Sequence, residues 1–102
     1  MITVIVSYQV KPEFVAENKK NIQLFLDDFK KLDKSGFRYH VYTKEDGVTF
    51  VHYSTYKDEN IQLAILNVPS FKDFQKKRDE SGLNGSHKVE VLSYVGSSAE
   101  MF

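Results

Sequence analysis

The fold is decided by residues 37–57, which read FRYHVYTKEDGVTFVHYSTYK. Two runs rich in aromatic and β-branched residues, 37–45 and 48–57, flank the dipeptide Asp46-Gly47. Asp-Gly between two such runs is one of the strongest short signals for a β-hairpin, because glycine readily takes the positive φ that a tight turn needs. We therefore predict that the two runs pair as antiparallel strands.

Alternation along this hairpin sorts its side chains onto two faces. With Asp46-Gly47 as the loop, Val41 lies opposite His52 and His40 lies opposite Tyr53. One predicted face collects Phe37, Tyr39, Val41, Phe50 and His52. The other collects Arg38, His40, Tyr42, Val51 and Tyr53.

Upstream of the hairpin, residues 2–10 alternate between apolar and mostly polar side chains, which predicts a first strand. Pro12 suits the first turn of a helix, and a stripe at spacings of three, four and seven predicts that the helix covers 12–33. The stripe consists of Val15, Ile22, Phe25, Leu26, Phe29 and Leu32. Ser35-Gly36 should end the helix, with Gly36 in the left-handed conformation.

Downstream, Asp58 and Asn60 are candidate caps of a second helix, whose apolar stripe is Ile61, Ala64, Ile65 and Val68. Pro69 should break this helix. Ser70 and Asp73 resemble a capping box that restarts a helical segment, which we expect to run to Ser81-Gly82. Gly85-Ser86 predicts a turn, and residues 87–95 predict the last strand, with neither of its sides identifiable as the buried one.

The order strand, helix, strand, strand, helix, strand is that of an α+β, ferredoxin-like βαββαβ fold. Such a fold has a four-stranded antiparallel sheet with both helices on one face. A chain of 102 residues holds one domain, predicted over 1–96, with a C-terminal tail over 97–102. The face without helices would carry Ile5, Tyr42, Val51 and Tyr53, so we expect a second copy of the chain or a flat ligand to cover it.

Composition excludes several classes of partner and chemistry. Lys plus Arg and Asp plus Glu are 14 each, so no net charge attracts nucleic acid or an anionic membrane. The absence of cysteine excludes disulfides and thiolate chemistry. The first residues, MITVIVSYQVK, lack the features of a secretory leader, and no apolar run could span a bilayer, so we expect a cytoplasmic protein.

Residues 52–74, HYSTYKDENIQLAILNVPSFKDF, resemble the antibiotic biosynthesis monooxygenase family of the dimeric α+β barrel superfamily. The match includes Tyr56 to Glu59 at a strand-to-helix junction, the later Pro69, Phe71 and Phe74, and a closing VLSYVG. The resemblance implies a homodimer in which two sheets enclose a barrel-like space, with a pocket beside each sheet. It also implies possible cofactor-free oxidation of a small aromatic or quinol-like molecule.

The chain departs from that family at polar positions. Many members carry a Glu late in the third strand and a His in the second helix, where this sequence has Ser54 and Ile65, and Ser70 stands where a second His often lies. The chain has no Trp and no His between Asp58 and Gly85, which disfavours haem degradation. We expect no cofactor, and no metal either, since the three histidines form no ligand grouping.

His40 is the candidate catalytic residue, because an imidazole beside Tyr42 and Tyr53 could remove a proton from a phenolic substrate. Arg38 on the same face could hold a carboxylate or enolate, and Tyr42 and Tyr53 could stack on an aromatic ligand. The alternative for His40 is a packed or hydrogen-bonded structural role, and that for Tyr42 and Tyr53 is packing. Arg38 could instead reach solvent or form an ion pair between subunits. His52 should be a satisfied core or edge histidine, and His87 should be exposed or at a pocket rim.

Three functions follow. The first is a monooxygenase-like activity on a small apolar or aromatic molecule, and the second is a non-catalytic small-molecule-binding or stress-response dimer. The third is RNA binding, because DGVTFVHY partly matches the third-strand pattern of the RNA recognition motif. Asp46 replaces its basic residue and the net charge is zero, so we expect no nucleic acid partner.

Overall fold

A computed structural model describes all residues, 1–102, and has the predicted order of elements. The strands are β1 (Ile2–Val10), β2 (Phe37–Thr43), β3 (Thr49–Tyr56) and β4 (Leu83–Leu92), and the helices are α1 (Val15–Lys30), α2 (Glu59–Leu66) and α3 (Pro69–Lys77). Short 3-10 turns occupy Pro12–Phe14 and Lys34–Gly36, and a π-helical turn occupies Arg78–Gly82. The four strands form one antiparallel sheet in the order β2-β3-β1-β4, which confirms the ferredoxin-like fold.

The hairpin has the predicted register. Val41 pairs with His52 and His40 pairs with Tyr53, although the connection is longer than the two residues assumed from the sequence. Asp46 holds this connection closed, since its carboxylate accepts hydrogen bonds from the backbone N–H groups of Val48 and Thr49 at 2.9 and 2.8 Å. Gly47 has φ of 75°, the left-handed conformation that favours glycine.

The core lies between the sheet and the helices and is mostly aromatic. Phe25 of α1 is fully buried, and its ring centroid lies 5.0 Å from those of Phe71 and Phe74 of α3. The buried apolar residues are Tyr8, Val10, Phe14, Ile22, Phe25, Phe29, Phe37, Phe50, Tyr56, Ile65, Phe71 and Phe74. The even positions of β1 and β3 and the odd positions of β2 therefore face the helices, as predicted for the hairpin.

Two predicted capping roles were wrong, although a helix does restart near Ser70, where α3 begins at Pro69. Gly36 does not take the left-handed conformation; it lies in a 3-10 turn so close to α2 that an added Cβ would come 2.4 Å from Cδ1 of Ile61. Asp58 caps α2 by accepting from the Ile61 N–H, as predicted. Ser70 does not cap α3, because its hydroxyl instead donates to the Asp28 carboxylate of α1 at 2.6 Å.

The predicted turn at Gly85-Ser86 and the bounds of the last strand were also wrong. β4 already begins at Leu83, and Gly85, with φ of 76°, lies within the strand beside an irregularity in its pairing with β1. There the Gln9 N–H donates to the Ser86 hydroxyl at 3.0 Å instead of to backbone. Most of β4 is exposed on both sides, which explains why its sequence did not identify a buried side.

The helix-free face of the sheet is partly covered by the chain itself. Leu92, Thr3, Thr55 and Arg38 form one row across the four strands, and Thr3 and Thr55 are buried. The end of the tail reaches this row, since the Arg38 guanidinium lies 5.4 Å from the centroid of the Phe102 ring. Neighbouring positions on this face, such as Tyr42 at 59% exposure, stay open.

None of the helices has the length and apolar character that crossing a membrane requires.

Candidate functional site

A cavity of about 350 Å³ lies between the sheet and helices α2 and α3. Its volume is within the usual range for sites that bind small molecules. The sheet contributes Val4, Val6, Tyr39, His52, Ser54, Tyr56, His87, Val89 and Val91, and the helices and π-helical turn contribute Gln62, Leu66, Phe71, Phe74, Gln75 and Arg78.

The cavity exists because small side chains occupy one region of the helix-facing sheet. Val91, Val4, Ser54 and Tyr39 form a row across the four strands, and Val89, Val6 and His52 lie in the next row. Valine and serine do not fill the space that the aromatic side chains fill elsewhere in the core. The mouth lies beside β4, where Val89 and Val91 are 56% and 75% exposed.

His52 lies in the wall of this cavity between two tyrosines. Its Nε2 atom is 2.7 Å from the Tyr8 hydroxyl, and its Nδ1 atom is 2.7 Å from the Tyr39 hydroxyl. Burial, together with the nearby charge of Arg78, lowers the pKa of His52 to about 3. The imidazole is therefore neutral at pH 7, and both of its nitrogens are already engaged.

The hydrogen bonds through His52 form a chain that joins α1 to β2. The Asn18 amide Nδ2 lies 3.0 Å from the Tyr8 hydroxyl, which in turn contacts His52 Nε2. A neutral imidazole has one N–H, so His52 donates through one ring nitrogen and accepts through the other. Burial raises the pKa of the Tyr39 hydroxyl well above its ordinary value, which keeps it a donor.

Arg78 supplies the only formal charge in the cavity wall. The π-helical turn that begins at Arg78 follows α3 directly, and such turns are frequent at functional sites. The side chain is only 6% exposed, and its guanidinium lies 5.0 Å from the Tyr8 ring and 5.4 Å from the Phe74 ring. Its Nε atom donates to the Asp79 carboxylate at 2.9 Å.

The residues predicted from the sequence to line a pocket lie elsewhere. Arg38, His40, Tyr42 and Tyr53 share the helix-free face, and none of them lines the cavity. The His40 ring centroid is 6.4 Å from that of Tyr42 and 6.3 Å from that of Tyr53, so the structure brings these three together without a hydrogen bond between them. Their roles in catalysis or binding stay predictions.

The other two histidines match their expected positions. His52 is a satisfied core histidine, and His87 is exposed and lies at the rim of the cavity. Of the three departures from the family pattern, Ser54 lies in the cavity wall, Ile65 is buried in the core and Ser70 donates to the Asp28 carboxylate. No group of three or more His, Asp or Glu side chains is arranged to hold a metal ion.

The sequence-based interpretation missed Arg78. The missed signal is its position, because Arg78 continues the apolar stripe of α3 four residues after Phe74 and seven after Phe71. A charged residue on a stripe that faces the core needs a partner or a ligand. Tyr39 was assigned to the correct face without a role. Its role depends on the hydrogen bonds that join it through His52 to Tyr8 and Asn18, and the last two residues lie on other elements.

Comparison with known proteins identifies the family. The family model described as antibiotic biosynthesis monooxygenase matches residues 1–77. The chain belongs to the antibiotic biosynthesis monooxygenase family. No curated protein matches the chain significantly.

Solved structures of this family's fold resemble the chain over nearly its whole length. Rv0793 from Mycobacterium tuberculosis has a TM-score of 0.79 at 17% identity, covering 96% of this chain and 98% of its own. SnoaB, a cofactor-independent oxygenase from Streptomyces nogalater, has a TM-score of 0.72 at 15% identity, covering 97% of each chain. A conserved protein from Methanosarcina mazei has a TM-score of 0.75 at 22% identity, covering 89% of each chain. At these identities the likeness concerns the fold.

Proposed function

We infer that the chain is an oxygenase that oxidises a small aromatic or quinol-like molecule without a cofactor, inside the cavity between the sheet and helices α2 and α3. The observation that carries this proposal is the cavity itself, with a buried cation, Arg78, and the Tyr39 hydroxyl in a wall that has no other Lys, Arg, Asp or Glu. Membership of the antibiotic biosynthesis monooxygenase family supports it, as does the fold shared with the cofactor-independent oxygenase SnoaB.

The reaction requires no group beyond substrate and oxygen. Conversion of an activated CH₂ group to a carbonyl by O₂ places one oxygen atom in the product and the other in water, with all four electrons supplied by the substrate. The protein's part is to exclude water, orient the ring and stabilise the negative charge that develops when the substrate loses a proton. Arg78 and Tyr39 are the groups in the wall suited to that stabilisation.

A non-catalytic binding protein is the second candidate, and one observation favours it. The histidine within the cavity wall, His52, has both ring nitrogens hydrogen bonded and a pKa of about 3, so it does not serve as a base near neutral pH. Such a protein would bind the same molecules without consuming oxygen.

We also propose that the protein is a homodimer whose copies associate through the helix-free faces of their sheets. Ile5, Val51 and Tyr53 are only partly covered there, and Tyr42 is exposed. Apolar side chains arranged side by side on a sheet gain free energy when a second sheet removes them from water. Sedimentation at micromolar concentration is expected to give twice the mass of one chain, and a stable monomer would contradict the dimer.

Oxygen uptake with a panel of quinols and polyphenols tests the activity. The purified chain should consume oxygen with at least one of them, and Arg78→Met should lose most of that rate, while Lys72→Met, which removes an exposed charge of α3, should keep it. Uptake lost in His40→Ala, with the dimer retained and Arg78→Met active, would instead place the reaction on the helix-free face. Binding without uptake in any variant would identify a binding protein.

A further inference from the structure

We propose that the cavity selects planar aromatic molecules that carry an oxyanion, a carboxylate or an ionised phenol, and that Arg78 and Tyr39 bind this oxyanion together. This inference names the ligand class of the proposed function and uses the same cavity. It concerns binding only, so its test does not depend on whether the chain oxidises the bound molecule.

The wall of the cavity carries one positively charged side chain. Among the 15 residues that line the cavity, Arg78 is the only Lys, Arg, Asp or Glu. Its one carboxylate partner, Asp79, contacts Nε only and is itself exposed. A guanidinium that is 6% exposed and opposed by a single half-solvated carboxylate leaves the cavity positive, which favours an anion over a neutral ligand.

Arg78 also has hydrogen-bond donors that no group of the protein uses. The two Nη atoms of Arg78 donate no hydrogen bond within the protein. The fully enclosed side-chain polar atoms without a partner are Asn18 Oδ1 and Asn21 Nδ2, so the Nη atoms of Arg78 are not sealed in the core, and Arg78 lines the cavity. A planar guanidinium with two free Nη groups matches the two oxygens of a carboxylate.

Tyr39 adds a hydroxyl to the same wall. Its oxygen ends the chain of hydrogen bonds that runs from Asn18 through Tyr8 and His52, which fixes its place in the cavity. Arg78 lies close enough to influence the Tyr39 hydroxyl electrostatically. The wall holds no carboxylate, and its second histidine, His87, lies at the exposed rim, so the interior complements an acceptor that has already lost its proton.

The shape of the cavity favours a planar ligand. The wall opposite the valines of the sheet is formed by the rings of Phe71 and Phe74, whose centroids are 5.9 Å apart with planes inclined at 36°. Val4 and Val6 close the other side with apolar surface. A cavity of about 350 Å³ between such walls suits a planar system of two or three fused rings.

Calorimetric titration of the full chain with 2-naphthoate and 2-naphthamide tests the proposal, because the two probes share their ring system and nearly their shape but differ in charge. The unmodified chain should bind naphthoate at least about tenfold more tightly, the range expected for charged hydrogen bonds. Arg78→Met should abolish that preference, and Tyr39→Phe should reduce it several-fold. Lys72→Met, a matched loss of positive charge on the exposed side of α3, should keep it.

Arg78→Lys covers the case in which Arg78→Met does not fold, since it keeps the charge but not the planar pair of donors, and an intermediate preference supports the proposal. Equal affinity for the two probes, or no binding of either, would overturn it. A preference lost in Arg38→Met and kept in Arg78→Met would also overturn it, by moving the anion to the helix-free face. Preference for naphthoate without any oxygen uptake would retain this inference while removing the oxidation.

Discussion

Each face of the sheet carries a histidine with two tyrosines nearby, and the two groups behave differently. On the helix-covered face, His52 lies between Tyr8 and Tyr39, is 2% exposed and forms hydrogen bonds with both. On the helix-free face, exposed His40 lies near Tyr42 and Tyr53 without a hydrogen bond to either. Residue type and spacing are therefore insufficient to identify a polar site in a sheet, since what packs over the face decides how its groups behave.

The largest difference between the faces should be in stability. Phe25→Ala removes a fully buried ring from the core, and we expect a loss of about 3–5 kcal/mol in the free energy of unfolding. Tyr42→Ala on the open face should lose less than about 1 kcal/mol. Urea denaturation measures both. A comparable loss in the two variants would show that a partner buries the helix-free face as thoroughly as the helices bury the other.

The two histidines should differ in the pH dependence of stability. His52 has its pKa lowered from 6.5 to about 3, so between these values the unfolded chain binds one more proton at this position than the folded chain. The free energy of unfolding should therefore fall as pH falls below 6.5, by up to about 1.4 kcal/mol per pH unit, until pH reaches about 3.

Denaturation measured from pH 7 to pH 4 gives the slope of the free energy of unfolding against pH. His52→Gln should reduce this slope. His40→Gln is the matched control, because its side chain is exposed. The interpretation is wrong if both variants keep the slope of the unmodified chain.

Removal of one hydroxyl should also distinguish the faces. Tyr8→Phe leaves His52 Nε2 and Asn18 Nδ2 without a buried partner, so we expect a loss of about 1–3 kcal/mol. Tyr53→Phe, the same change on the helix-free face, should stay within about 0.5 kcal/mol. Thermal denaturation of the two variants measures both losses of stability. Equal losses would contradict the buried chain of hydrogen bonds.

The smallest expected effect concerns the tail on the helix-free face. Phe102→Ala removes the ring beneath the Arg38 guanidinium, a contact expected to contribute about 0.5–1 kcal/mol. Val95→Ala, at a tail position that is 99% exposed, should change nothing measurable. If the two substitutions have equal effects on the free energy of unfolding, the tail does not rest on the sheet in solution.

The sequence was sufficient for the fold and for the facial assignment of the hairpin. Asp46-Gly47 fixes a turn and alternation fixes which side each residue takes, and both are local properties. The left-handed assignment of Gly36 was wrong because α1 already ends at Lys30, and Gly36 belongs to a separate 3-10 turn that Asp33 caps by accepting from the Ser35 N–H. The last strand was misjudged because Gly85 permits an irregularity inside a strand as readily as a turn.

The cavity was beyond sequence reasoning, because it depends on which helix residues lie over which strand residues. The apolar stripe of α3 predicts that Arg78 faces the core, but not which strand residues lie opposite it. The hydrogen bonds of His52 lead to Asn18, which is 34 positions away in the chain and on another element. Alternation placed His52 and Tyr39 on one face but did not show that they are hydrogen bonded to each other.

The turn that carries Arg78 is also fixed at its other end. Gly82 packs so tightly on the Phe14 ring that an added Cβ would lie 2.4 Å from Cδ2, and the Gly82 carbonyl accepts from the Lys11 N–H at 2.8 Å. Phe14 does not line the cavity, yet its ring constrains the end of the turn that begins at Arg78. A substitution that changes the size of residue 14 would therefore act on the cavity wall from outside it.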